Sequence, residues 1–126
     1  LRRELGLVME NYVGVSRDAK GLKEASKKIA QLAERCETLG ARNLATPYST
    51  QINSILELTN MLDIADTIVT TALARKESRG THYRKDFPKR DDKHWLKHSI
   101  IRSLDDECHM EYEPVIITDW KPEGSI

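Results

Sequence analysis

A chain of 126 residues, with 20 Lys/Arg against 20 Asp/Glu and no net charge, is long enough for one domain with its own hydrophobic core. Its hydrophobic content of 39% and charged content of 32% fit a soluble globular chain, with no low-complexity tract. The absence of any apolar run of about 18 residues excludes a membrane-spanning helix.

Two cysteines, Cys36 and Cys108, are too few for a disulfide framework and suit a reducing, cytoplasmic setting. The first residue is Leu1 and no signal-peptide apolar region follows. The chain therefore reads as a piece of something longer.

Three amphipathic helices are expected in chain order. Leu1, Leu5, Val8 and Tyr12 recur at steps of four, three and four. Leu22, Ala25, Ile29, Leu32, Cys36 and Leu39 alternate steps of three and four, as do Ile55, Leu58, Leu62, Ala65, Val69 and Ala72. Each set falls on one face of an α-helix, the pattern of antiparallel bundles. Gly14 ends the first helix and Ser16 or Asp18 can cap the second. Gly40 is placed to end the second, and Thr46-Pro47 with Ser49 to start the third. Gly80 is placed to end the third, after the cations Arg75, Lys76 and Arg79. Ile52, Leu56, Met61, Ile64, Ile68 and Leu73 lie off its main seam, so this helix has apolar surface on more than one side.

The chain changes character after Gly80. Asp86-Phe87-Pro88 reads as extended because Pro disfavours helical geometry before it, and Asp91 or Asp92 can cap a short helical turn through Trp95. Residues 99–103 and 108–112 flank Leu104-Asp105-Asp106-Glu107 as a two-stranded hairpin that Pro114 limits. Val115-Ile116-Ile117 reads as a further extended piece, and Trp120 as an anchor of the tail or a partner contact. The fold class is thus mainly α: an up-down, spectrin-repeat-like three-helix bundle over 1–80. An irregular extension with a short β-hairpin follows over 81–126, packed on the bundle.

Charge is unevenly spread. Residues 75–102 hold ten Lys/Arg and four Asp/Glu, a net +6, whereas residues 103–126 hold one Lys and seven Asp/Glu, a net −6. Mutual packing of the two segments explains this, while a nucleic-acid footprint needs a basic face that stays unpaired. Tyr83, Phe87 and Trp95 interleave with bases, a pattern that suits either loop packing or stacking of single strands.

No two of the six glycines are spaced as in G-x-G-x-x-G, so no pyrophosphate cradle is encoded. His94 and His98, four apart, can share a helical face, but no third ligand accompanies them and no metal site is expected. His82 and Arg84, with the Glu77-Ser78-Arg79-Gly80 corner, can hold an anion. The alternative is structural: Glu77 and Arg79 pair with charges in 84–92 and fix the path of the chain.

One run carries a family resemblance: Glu77-Ser78-Arg79-Gly80, His82, Arg84, Asp86, Pro88, Arg90-Asp91-Asp92, Trp95, Lys97 and His98. It resembles the signature near the C-terminus of succinate dehydrogenase/fumarate reductase flavoprotein subunits. Val13-Gly14-Val15, Arg17, Asn60-Met61-Leu62, Ala72-Leu73-Ala74-Arg75, Tyr112 and Pro114-Val115 extend the resemblance over nearly the whole chain, with Thr81 where Ala is common. The resemblance implies a C-terminal three-helix domain with a short β tail, packed on the flavin-binding and capping domains of the same parent chain. It also implies an enzymatic parent that moves electrons between succinate/fumarate and FAD and on to an iron–sulfur subunit, peripheral to the cytoplasmic face of a membrane.

The dicarboxylate- and FAD-binding motifs of that family lie outside this sequence, so no catalytic and no cofactor-binding residue is carried over. The interface candidates are Glu77, Ser78, Arg79, Gly80, His82, Arg84, Asp86, Arg90, Trp95 and His98. The rivals are the same domain of an L-aspartate oxidase or adenylylsulfate reductase, and a small helical nucleic-acid module using residues 75–102.

Overall fold

The computed structural model describes residues 1–43, 50–104 and 107–119. Helices α1 (Arg2–Val13), α2 (Ala19–Asn43) and α3 (Thr50–Ala74) form the bundle. Two-residue strands β1 (Ser16–Arg17) and β2 (Tyr83–Arg84) pair in parallel. A short helix α4 (Asp92–Trp95) leads into strands β3 (Lys97–Leu104) and β4 (Glu107–Pro114).

The helical seams form the core. Leu5 and Val8 of α1, Leu22 to Cys36 of α2, and Leu58 to Ala72 of α3 are buried at the expected steps, with Leu1, Tyr12 and Ile55 packed beside them. Leu39 departs from its seam and is 42% exposed. The cause is length: α1 has 12 residues against 25 in α2, so at 1.5 Å per residue it covers about half of it. Glu4 pairs with Arg35, and Lys28 lies over Tyr12, so α1 runs antiparallel to α2 and its first turn reaches Arg35, short of Leu39. On α3, Leu56, Met61, Ile64 and Ile68 are 38–61% exposed, the apolar surface left uncovered by the bundle.

The helix ends differ from the sequence reading at two glycines. Helix α2 continues through Gly40 to Asn43, and α3 stops at Ala74 rather than at Gly80. The side chain of Asp18 accepts from the Gly21 N–H at 2.7 Å and caps α2. The expected start of α3 at 46–49 lies outside the described residues. Gly80 instead sits at φ +55° in a tight turn closed by reciprocal Arg79–His82 backbone bonds of 2.9 and 3.0 Å. A Cβ there would meet nothing within 4 Å, so the positive φ alone is what favours Gly.

The hairpin forms, and it is longer than expected. Lys97 faces Pro114, and the antiparallel register runs through Ile101↔Met110 to Leu104↔Glu107. Arg102 reaches Glu111 and Glu113 across the strands at 3.0 and 3.4 Å, while Pro114 ends β4 by lacking an N–H. Val115-Ile116-Ile117 forms no strand, since Pro114 breaks the ladder before it. Trp120 lies outside the described residues.

Truncation at the centre of the seams should be costly. Leu32→Ala and Leu62→Ala, at 4% and 3% exposure, should each lower unfolding free energy by about 2–5 kcal/mol. Ile64→Ala, on the open face of α3, should stay within about 0.5 kcal/mol of wild type. Denaturant unfolding of the three variants measures the contrast.

Candidate interface site at the end of α3

An α-helix leaves its last carbonyls without intrahelical partners. At the end of α3 these are met by Arg84, whose guanidinium donates to the carbonyls of Ala72, Leu73 and Arg75 at 2.7, 3.2 and 3.1 Å. Arg84 is 1% exposed, and its other edge makes a forked pair with Asp86, Nε to Oδ1 and Nη2 to Oδ2, both 2.8 Å. Such forks are the strong form of the carboxylate–guanidinium bond. Asp86 Oδ2 also accepts the Ala19 N–H at 3.1 Å. One ion pair therefore joins the C-terminus of α3 to the N-terminus of α2.

The path of the chain follows from this pair. Lys85 and Asp86 form the turn of a second tight hairpin, closed by Phe87 N–H to Arg84 O at 3.0 Å. Asp86 is thus a turn residue and not extended. Pro88 restricts only Phe87, which does sit in a bridge. Phe87 lies under the Arg84 guanidinium, 5.1 Å from ring centroid to charge. The Ser78 hydroxyl accepts the Arg84 N–H and donates to the Phe87 carbonyl, both 2.8 Å. Tyr83 and Lys85 donate to the carbonyls of Val15 and Arg17, which forms the β1–β2 pair.

Glu77 is the second hub, fully buried. Its carboxylate accepts from Arg79 at 2.9 and 3.0 Å, from the Asp91 N–H at 3.0 Å, and from Arg75. Burial pushes its carboxyl up, but the bonds from Arg79, the Asp91 N–H and Arg75 together outweigh this and hold it below the usual carboxylate range. Arg79 continues to Asp92 at 2.5 Å, and Arg90 meets the other oxygen of Asp92 at 2.9 Å. Arg75 also donates to the carbonyls of Trp95 and Lys97 and so anchors the hairpin to α3. Trp95 packs edge-on to Tyr112 at 5.8 Å.

The candidate residues thus separate into groups. Glu77, Ser78, Arg79, Gly80, Arg84, Asp86 and Arg90 form this paired network, and Trp95 closes it. His82 lies beside it, its ring 3.4 Å from the Arg75 carbonyl. Burial lowers the His82 pKa, and the nearby charges of Arg17, Arg84 and Arg75 add to the effect. His98 lies in β3 opposite Glu113. Because α4 ends at Trp95, His94 and His98 do not share a helical face. His94 instead pairs with its own N-cap, Asp91, at 2.9 Å. Among the described residues no cluster of three metal-ligating side chains occurs.

Sequence reasoning missed Arg17 and Arg75 as members of the site, while Asp92 falls in the 84–92 segment whose charges that reasoning pairs with Glu77 and Arg79. Arg75 reads from sequence only as a helix-terminal cation, and a two-residue strand such as β1 leaves no periodic signal.

A cleft of about 460 Å³ opens beside the network, between α3, the 79–82 turn and β3. Arg17, Arg75, Arg79 and Lys97 line it, with His82 and His98, and among the described residues no Asp or Glu does.

The family model described as fumarate reductase flavoprotein C-term matches residues 2–125. The fumarate reductase flavoprotein subunit of Mycobacterium tuberculosis is 40% identical over 97% of the chain, which covers 21% of that relative. That of Escherichia coli K12 is 34% identical over 97% of the chain, again 21% of the relative. The succinate dehydrogenase flavoprotein subunit of Rickettsia bellii is 31% identical over 98% of the chain and 21% of the relative. A solved quinol–fumarate reductase with menaquinol molecules superposes with a TM-score of 0.82 at 34% identity, over 95% of this chain and 21% of that one. The chain spans about a fifth of the length of the relatives it matches.

The hydrogen bonds from Arg84 lower the Asp86 pKa from 3.8 to about 2. A depressed folded-state pKa contributes stability that is complete above the unfolded value and is lost as pH falls through the folded one. Asp86 therefore stabilises the fold fully above about pH 4 and ceases to as pH falls toward 2. Asp86→Asn should lower stability at pH 7 and flatten its decline between pH 4 and 2, read by acid unfolding. Asp86→Ala, which leaves the buried Arg84 charge without its carboxylate, should cost about 3 kcal/mol.

Proposed function

The chain belongs to the family of fumarate reductase flavoprotein C-terminal domains, and on that footing we propose that it is the scaffolding and interface domain of a succinate dehydrogenase or fumarate reductase flavoprotein subunit. The parent would move electrons between succinate/fumarate and FAD and pass them to an iron–sulfur subunit. In this reading FAD and the dicarboxylate are held by the flavin-binding and capping domains of the same polypeptide. The present chain supplies no catalytic or cofactor-binding group and no nucleic-acid surface. The assembly would lie peripheral to the cytoplasmic face of a membrane; among the described residues no helix is long and apolar enough to cross one.

The observation that carries this reading is how the signature uses its charge. Glu77, Asp86 and Asp92 are each bonded to arginines of the same segment. Acid–base catalysis needs a group free to exchange a proton with a substrate, whereas these carboxylates are committed to fixing loop geometry. The nucleic-acid alternative needs cations that stay available, and Arg75, Arg79, Arg84, Arg90 and Arg102 are engaged by carboxylates of this chain. The uncovered apolar face of α3 suits contact with the rest of a larger protein.

Arg79 tests this role. Its guanidinium forks onto Glu77 and reaches Asp92, and its side chain is 30% exposed, so it lies at the edge of the network. Lys lacks the planar fork. In the full-length parent, Arg79→Lys should reduce flavin content and co-purification of the iron–sulfur subunit more than it lowers the Tm of this domain. Normal assembly with full flavin in a parent whose C-terminal domain melts early would make the segment internal structure alone and remove the functional reading.

A further inference from the structure

The cleft beside the network has an imbalance that the network does not relieve. Arg75 and Arg79 are paired with Glu77 and Asp92, the latter shared with Arg90, but Arg17 and Lys97 meet no carboxylate among the described residues. The Arg17 Nε donates to the Gly14 carbonyl at 2.9 Å, which leaves both terminal nitrogens without a carboxylate. Lys97 Nζ lies over the rings of Tyr112 and Trp95 at 4.1 and 4.8 Å. Such contacts stabilise a cation without supplying an opposite charge. Burial and the nearby Arg84 charge both lower the Arg17 pKa, the signature of a cation lacking its counter-charge.

The same wall holds Ser99 Oγ, a buried side-chain atom with no hydrogen-bond partner. Lys97 and Ser99 are two apart on β3 and so share a face. A buried polar group without a partner calls for a specific explanation, and this hydroxyl, able to donate or accept, leaves the wall beside Lys97 short of one polar partner.

We propose that this cleft receives the carboxylate of an Asp or Glu side chain from the part of the flavoprotein polypeptide outside this chain, with Arg17 and Lys97 as its charge partners. The inference rests on the docking role proposed above and names its chemistry. A protein side chain fits better than a free anion because Ile68 lines the cleft and continues on α3 into the exposed Met61 and Ile64, at steps of four and three. An acid presented on an apolar surface would fill both features. The relatives are about five times as long as this chain, so most of such a protein lies outside it.

Carbodiimide cross-linking of the full-length assembled protein tests this. The reagent activates a carboxylate, a lysine in contact displaces the urea, and an amide forms that peptide mass spectrometry locates. The expected product joins Lys97 to an Asp or Glu in the remainder of the same polypeptide. In Arg17→Gln its yield should fall on the order of tenfold, the loss of one charge-assisted bond, with the helical circular dichroism unchanged. A link from Lys97 to Asp119 or Glu123 of this chain, or to another subunit, overturns the proposal. So does the absence of a Lys97 product while Lys76, Lys85 or Lys89 link to the remainder; that outcome leaves the docking role standing. If no lysine of this chain links beyond it, the docking role itself fails.

Discussion

The Arg84 guanidinium is the constraint on which the lower end of the molecule depends. Its donors satisfy the terminal carbonyls of α3, and its fork onto Asp86 carries that connection to the first N–H of α2. Desolvating a guanidinium is costly, and an ion pair repays it only when further hydrogen bonds complete the geometry. Here two carbonyls of α3, that of Arg75 just beyond it, and two carboxylate oxygens do so. The result is less a gain in stability than a single allowed path for the chain from Ala74 to Phe87, with the Ser78 hydroxyl and the Gly80 turn closing the remaining degrees of freedom.

The Glu77 hub extends this specification outward. Arg75 links it to the backbone of Trp95 and Lys97, and Arg79 links it to Asp92. The hairpin is thereby oriented against α3 by polar bonds and by Trp95–Tyr112 contact rather than by a continuous apolar core, since among the described residues the thirteen buried apolar ones run from Leu5 to Ala72. The place of Lys97 in the lining of the cleft follows from the same anchoring.

What the sequence made legible follows the physics of each region. The helices announce themselves because a seam repeating at three and four has one solution, and Leu22, Leu32, Leu62 and Val69 are buried as the spacing predicts. Leu39 fails because its cover depends on the length of another helix, which a local pattern does not contain. The end of α3 was misplaced because Gly80 and three cations look like a helix terminus. In fact the terminus is set by Arg84, ten residues beyond Ala74. The signature residues are recognisable as a group, and the pairing of Arg79 with a charge in 84–92 is met by Asp92, whereas Glu77 takes its cations from Arg75 and Arg79 rather than from that segment. Arg17 is not recognisable, because its place depends on a parallel strand pair between segments 67 residues apart in sequence. The extension of the hairpin to Lys97 and Pro114 was equally silent, since those outer residues do not alternate.

The central claim is that Arg84 holds the signature segment to the bundle, and amide hydrogen exchange tests it most directly. The N–H groups of Tyr83 and Lys85 donate to Val15 and Arg17, and that of Ala19 to Asp86. In Arg84→Lys, which keeps the charge but loses the fork, exchange at these three amides should accelerate strongly, while the mid-helix amides of Leu32 and Leu62 remain protected. Wild-type protection at Tyr83 and Lys85 in that variant would contradict the account.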